Sequence, residues 1–124
     1  MLATRSSIRI GQLFKVIGDP FRVRLLLALA KQEACVCHLE CLLGKRQAYI
    51  SQHLMCLREA GILAARREGK YIFYKIKNRK ILGMIDRAAE IAGMTPDELK
   101  PRAKESYLSS CECPQCGNSK LVSI

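Results

Sequence analysis

Apolar positions along the chain recur first at helical spacing, then alternate, then return to helical spacing. Ile8, Ile10, Leu13, Phe14 and Ile17 mark one face of an amphipathic helix over residues 7–17, ended by Gly18. Asp19 and Pro20 follow as N-cap and first helical residue. The carboxylate accepts from unpaired first-turn amides, and proline lacks only an amide that would have no partner there. The helix they open continues through FRVRLLLALA, with Phe21, Leu25, Leu26 and Leu29 inward and Arg22 outward, until Gln32-Glu33-Ala34 breaks it. A short third helix is expected over residues 36–43, closed by Gly44.

Residues 47–60 carry more information. Ile50, Leu54 and Leu57 fall at i, i+4 and i+7 and form a buried stripe. Opposite lie Ala48, Ser51, Gln52 and Met55, with Tyr49 and Cys56 to one side and Gly61 at the end. Such a face suits base edges and thymine methyls in a major groove, although an ordinary polar surface helix has the same look. The next run, ILAARREGKYIFYKI over residues 62–76, reads as two strands joined across Glu68-Gly69-Lys70, with Arg66, Arg67 and Lys70 near the tip. A basic-tipped hairpin directly after a candidate recognition helix is a wing, placed to grip a phosphate backbone. Asn78 caps a last helix over residues 79–92, with Ile81, Leu82, Ile85, Ala88, Ala89 and Ala92. The expected fold is therefore mainly α with a small β-hairpin, a winged helix-turn-helix over residues 1–92. Beyond it, residues 93–124 form a polar C-terminal arm and Cys-rich tail interrupted by Pro96, Pro101 and Pro114.

Charge strengthens the nucleic-acid reading. The chain has 21 Lys and Arg against 11 Asp and Glu. Ten of the basic residues but only two acids, Glu59 and Glu68, lie within residues 43–80. Positive charge this concentrated attracts polyanions. No stretch approaches the ~18–20 apolar residues of a membrane span, and the first 15 residues lack the apolar run of a signal peptide. A cytoplasmic location is expected. Seven cysteines in such a chain point away from a disulfide framework and towards thiolate ligands, because they cluster: Cys35, Cys37 and Cys41, then Cys111, Cys113 and Cys116, with Cys56 apart. No nucleophile elbow, phosphate-cradling glycine loop or working carboxylate pair is present, so no enzyme activity is expected.

The segment CHLECLLGKRQAYISQHLMCLREAGIL, followed by REGKYIFYKI, resembles the ArsR/SmtB family of metal-sensing winged-helix repressors. GDPFRVRLLLAL is similar to the family's second helix, QAYISQHLMCLREAGIL to its recognition helix, and ACVCHL to its cysteine metal box, so the likeness covers residues 10–92. The resemblance implies a homodimer whose first and last helices meet through Leu13, Ile17, Ile81, Ile85 and Ala88. It implies double-stranded, palindromic operator DNA, with two recognition helices entering major grooves ~34 Å apart. Arg46, Gln47, Ala48, Tyr49, Ser51, Gln52, Arg66, Arg67 and Lys70 are the candidate DNA contacts.

The same resemblance implies that Cys35 and Cys37 bind a soft metal or metalloid ion, As(III)/Sb(III) or Cd(II)/Pb(II) with Zn(II) also admitted, and that the loaded protein leaves DNA. In the arsenite-type pattern a third cysteine comes three residues after the second; Glu40 stands there and Cys41 one place later. Cys41 shares a helix face with Cys37 at i, i+4 and is one candidate third ligand. Cys111, Cys113 and Cys116 in CECPQCG are the others, from the same or the partner subunit. Cys56 aligns with a recognition-helix cysteine of cadmium and lead sensors of that family, but Ala60 replaces their companion residue, so a structural or incidental role is expected. His53 reads as a packed residue that orients its helix, His38 as a surface residue. The final-helix site of the zinc and nickel sensors is absent, since that helix has Asp86 and Glu90 but no histidine. Two alternatives stay open: a thiol redox-responsive regulator, and a constitutive DNA-binding protein with structural zinc.

Overall fold

The structure is a computed structural model that describes residues 2–95 and residue 98. Five helices and a three-stranded sheet follow one another: α1 (Leu2–Ile17), α2 (Pro20–Ala28), β1 (Ala34–Cys35), α3 (Val36–Leu43), α4 (Gln47–Glu59), β2 (Leu63–Glu68), β3 (Tyr71–Ile76) and α5 (Lys80–Ile91). All five expected helices form, with α1 beginning earlier than its apolar face suggests. Asp19 caps α2 as expected, its Oδ1 accepting from the Phe21 amide at 2.8 Å and the Arg22 amide at 3.3 Å.

β1 is an element that the sequence pattern did not reveal. It pairs antiparallel with β3, Ala34 opposite Tyr74 and Cys35 opposite Phe73, and gives the sheet order β1-β3-β2. Two residues are too few to display any period. The hairpin itself pairs Leu63 with Ile76 at its base and Glu68 with Tyr71 at its tip. Its two-residue loop places Gly69 at φ +61 with no left-handed Lys70 beside it, the requirement of a type II′ turn. Asn78 caps α5 one residue further out than expected, its Oδ1 accepting from the Lys80 amide at 3.1 Å.

One core binds α2, α3, α4, the strands and α5. Leu25, Leu26, Leu39, Ile50, Leu54 and Leu57 have no exposure at all. Leu13, Val16 and Ile17 of α1 pack on its margin. Cys35 and Phe73 are buried in a second, smaller cluster with Cys37 and Tyr71 against them. Among the described residues no helix is long and apolar enough to cross a membrane.

Candidate DNA-binding surface and thiol pair

Helix α4 is seated from three sides. Its Ile50, Leu54 and Leu57 stripe enters the core. Arg22, expected to point outward, instead folds back: its Nε donates to His53 Nδ1 at 3.0 Å and its Nη1 to the Val16 carbonyl at 3.0 Å. A guanidinium on a long apolar stem reaches well beyond the face its Cα occupies. His53 is thus a packed residue that fixes α4, as its motif suggested. The Phe21, Tyr49 and His53 rings pack at tilted to edge-on angles with centroid separations of 4.7–5.1 Å. With the helix held from behind, Arg46, Gln47, Ala48, Tyr49 and Gln52 are exposed and Ser51 is half-buried. Met55, also exposed, extends this face.

On the wing, Arg66, Arg67 and Lys70 are all exposed. Arg66 is already engaged. It forms a two-pronged ion pair with Glu33, through Nε to Oε2 at 2.9 Å and through Nη2 to Oε1. It also bonds Glu68 at 3.2 Å and stacks over Phe73 at 4.6 Å from the ring centroid. The Arg66 hydrogen bond holds the Glu33 carboxyl below its ordinary range, with Lys75 adding a smaller charge effect. Sequence reading could not find this clamp, because 33 residues separate the two partners. Among the described residues neither Arg67 nor Lys70 has a carboxylate partner; Lys70 lies over the Tyr71 ring at 5.5 Å.

The cysteines Cys35 and Cys37 meet where β1 turns into α3. Cys35 is the N-cap residue of α3 and is buried, Cys37 is half-buried in the first turn, and their Sγ atoms lie 2.8 Å apart. Unpaired amides and the positive end of the helix dipole at a helix start favour an anionic ligand set. Cys37 takes part in a disulfide, and none of the other described cysteines is its partner. Both residues line a cavity of about 290 Å³ together with Val36, Glu40, Gln47, Lys70, Tyr71 and Ile72.

The donor set fits a soft ion in type, two sulfurs with a carboxylate beside them, but as a half-site. Among the described residues no three Cys, His, Asp or Glu form a group able to hold an ion. Cys41, half-buried on α3, is therefore not brought together with Cys35 and Cys37. Sulfurs sharing a tetrahedral ion at about 2.3 Å sit about 3.8 Å apart, so the pair must also spread to share one. Cys111, Cys113 and Cys116 lie outside the described residues. His38 is half-buried, and burial lowers its pKa, favouring the neutral ring. Cys56 lines a separate cleft with Arg9, Leu13, Val16 and Arg22.

Of the expected dimer residues, Ile81 is spent in the protomer's own core and Ile85 is buried at the floor of a groove. The groove runs between α1 and α5, with Phe14, Ile17, Met84, Ala88 and Met94 among its walls. Ile8, Ile10 and Phe14 of α1 and Ile91 of α5 are more than half exposed.

A helix fixed from behind, open in front and followed by a basic hairpin defines a winged helix-turn-helix DNA-binding protein. The family model for bacterial regulatory proteins of the arsR family matches residues 19–65. The arsenic resistance transcriptional regulator ArsR1 of Pseudomonas putida is 37% identical over 95 residues, covering 70% of this chain and 73% of its own. The cadmium resistance regulatory protein CadC of Listeria innocua is 31% identical over 86 residues, 68% of this chain and 72% of its own. Among solved structures, the transcriptional repressor BigR of Xylella fastidiosa superimposes with a TM-score of 0.61 at 33% identity, covering 72% of this chain and 91% of its own. The chain belongs to the ArsR/SmtB family of transcriptional regulators.

Proposed function

We propose that this protein is a metal- or metalloid-responsive repressor that holds operator DNA as a homodimer and releases it when a soft ion binds the reduced Cys35 and Cys37. The observation that carries the reading is the contact of these two sulfurs on a cavity that also touches α4 and the wing. Relatives named for arsenic and cadmium resistance support it. Gln47, Ala48, Ser51 and Gln52 would read base edges, with Arg46 and Tyr49 at the start of the helix. Arg67 and Lys70 would neutralise phosphate, and Arg66, committed to Glu33 and Glu68, would hold the wing in shape. A C2 partner would cover the apolar groove between α1 and α5, since an apolar surface this continuous is costly to leave in water. Cys111, Cys113 and Cys116 are the proposed source of further sulfur ligands.

The test is fluorescence anisotropy of the reduced, anaerobic protein on a duplex it has selected from a random pool, titrated in turn with arsenite, antimonite, cadmium, lead and zinc. Release at stoichiometric ion, lost in a Cys35→Ser, Cys37→Ser variant that still binds DNA, is the expected result. Indifference to every ion refutes the reading.

The disulfide at Cys37 favours a second reading, a thiol redox switch. Two thiols would give up two protons and two electrons to a peroxide, which leaves as water. Peroxide-driven release, reversed by a dithiol and unaffected by ions, would identify it.

A further inference from the structure

We infer that the ion and the DNA compete for the same two side chains, Gln47 and Lys70. The inference deepens the metal-responsive reading and rests on it.

Among the described residues three separate segments meet at the cavity of about 290 Å³: the β1–α3 junction with Cys35, Cys37 and Glu40, the first residue of α4, and the turn and first residues of β3. Gln47 and Lys70 are the two members that also lie on the DNA-facing surface, and both are exposed. Each has a flexible side chain able to reach inward to the cavity or outward to a groove. Lysine in particular swings a point charge on a four-carbon stem.

The chemistry of the two states sets them against each other. Two thiolates and the Glu40 carboxylate bring three negative charges to the cavity, and a divalent ion returns only two positive ones. The loaded cavity keeps a net negative charge in a partly desolvated place. Among the described residues Lys70 is the cation in its wall, and the Gln47 amide is a neutral hydrogen-bond donor there. DNA asks for the same groups, the ammonium for a phosphate and the amide for a base edge. A donor turned inward is lost to DNA, and by linkage a donor held by DNA is lost to the ion. Coupling of this kind needs no relay through the fold. A relay is the competing possibility, since Cys35 packs on Phe73 and Phe73 lies under Arg66; it would run independently of Gln47 and Lys70.

The experiment uses the full-length, reduced chain with cadmium as the probe. Cadmium–thiolate absorbance gives ion affinity without DNA. Anisotropy on the selected duplex, at a salt concentration low enough to keep every variant bound, gives DNA affinity with and without saturating cadmium. The ratio of those two affinities is the coupling factor, of the order of 5–150-fold in allosteric proteins generally. Gln47→Ala and Lys70→Met should each weaken metal-free DNA binding and cut the coupling factor at least about fivefold, with ion affinity a few-fold weaker. Arg67→Ala, which lines no part of the cavity, should weaken DNA binding and leave the coupling factor intact. Weaker DNA binding with an unchanged coupling factor in both Gln47→Ala and Lys70→Met overturns the inference and points to the relay. A wild type that binds cadmium at the thiols without losing DNA overturns the release reading itself, and the inference with it.

Discussion

The two halves of the proposed DNA-binding surface are built in opposite ways. Helix α4 stands on the main core, with Ile50, Leu54 and Leu57 fully buried beneath it and Arg22, Phe21 and Tyr49 bracing His53. The wing has Leu63 and Ile76 in the core at its base, but its middle rests on the small cluster of Cys35 and Phe73. An exposed ion pair and a two-residue strand hold the rest. Free energies of local opening follow buried apolar contact and protected backbone bonds, so the wing should open far more readily than α4. The difference teaches where a response can be located at little cost. On the proposed function, reading falls to the rigid part, and a ligand would move the part beside the sulfurs.

The largest effect should come from breaking the rigid half. Leu54→Ala removes a fully buried side chain from beneath α4 and should cost about 3 kcal/mol. For a domain of this size that lowers the melting midpoint by on the order of 12 °C or more, with α4 and core amides losing exchange protection together. A loss under about 1 kcal/mol would mean the site relaxes freely, and α4 would not be the firm platform described.

A smaller effect is expected at the start of α2, the helix that carries Phe21 and Arg22 to α4. Asp19→Ala removes the acceptor for two first-turn amides and should cost about 1 kcal/mol, a shift of about 4–8 °C. Because α2 braces α4, lost protection should spread to α4 and spare the wing tip. Loss confined to the wing would reverse the assignment of the two halves.

The rigid half was largely legible in the sequence, for reasons these residues make plain. The Ile50, Leu54 and Leu57 period, the Asp19-Pro20 start and the alternation around Gly69 are local signals with local causes. What the sequence hid depends on segments far apart along the chain. Arg66 counts as one more wing cation until the fold brings Glu33 to it. Arg22 sits on an outward face until its guanidinium finds His53. β1 is too short to show a pattern, yet it sets the sulfurs beside the wing. The closeness of Cys35 and Cys37 follows from their spacing, whereas the cavity they share with Gln47 and Lys70 arises only when three segments converge.

The smallest effect on global stability, and the most telling for the wing, concerns Arg66. Exposed ion pairs contribute little to the melting midpoint, so Arg66→Met should leave it nearly unchanged while wing amides exchange several-fold faster. Acidity gives the same clamp a second handle. The Arg66 bond lowers the Glu33 pKa from its ordinary value near 4.5. A carboxylate whose pKa is lowered in the folded state contributes fully above its unfolded value, and the contribution fades as pH falls through the lowered one. Wing protection factors in the wild type, corrected for intrinsic exchange, should therefore be constant above about pH 6 and decline below about pH 4.5, while those of α4 hold. In Arg66→Met the wing should already be at the low level and show no such decline. Coincident wing protection in wild type and variant near neutral pH would remove the ion pair from the account. The wing's hold would then rest on its apolar packing and the pairing of β1 with β3, and the contrast with α4 would be without an electrostatic part.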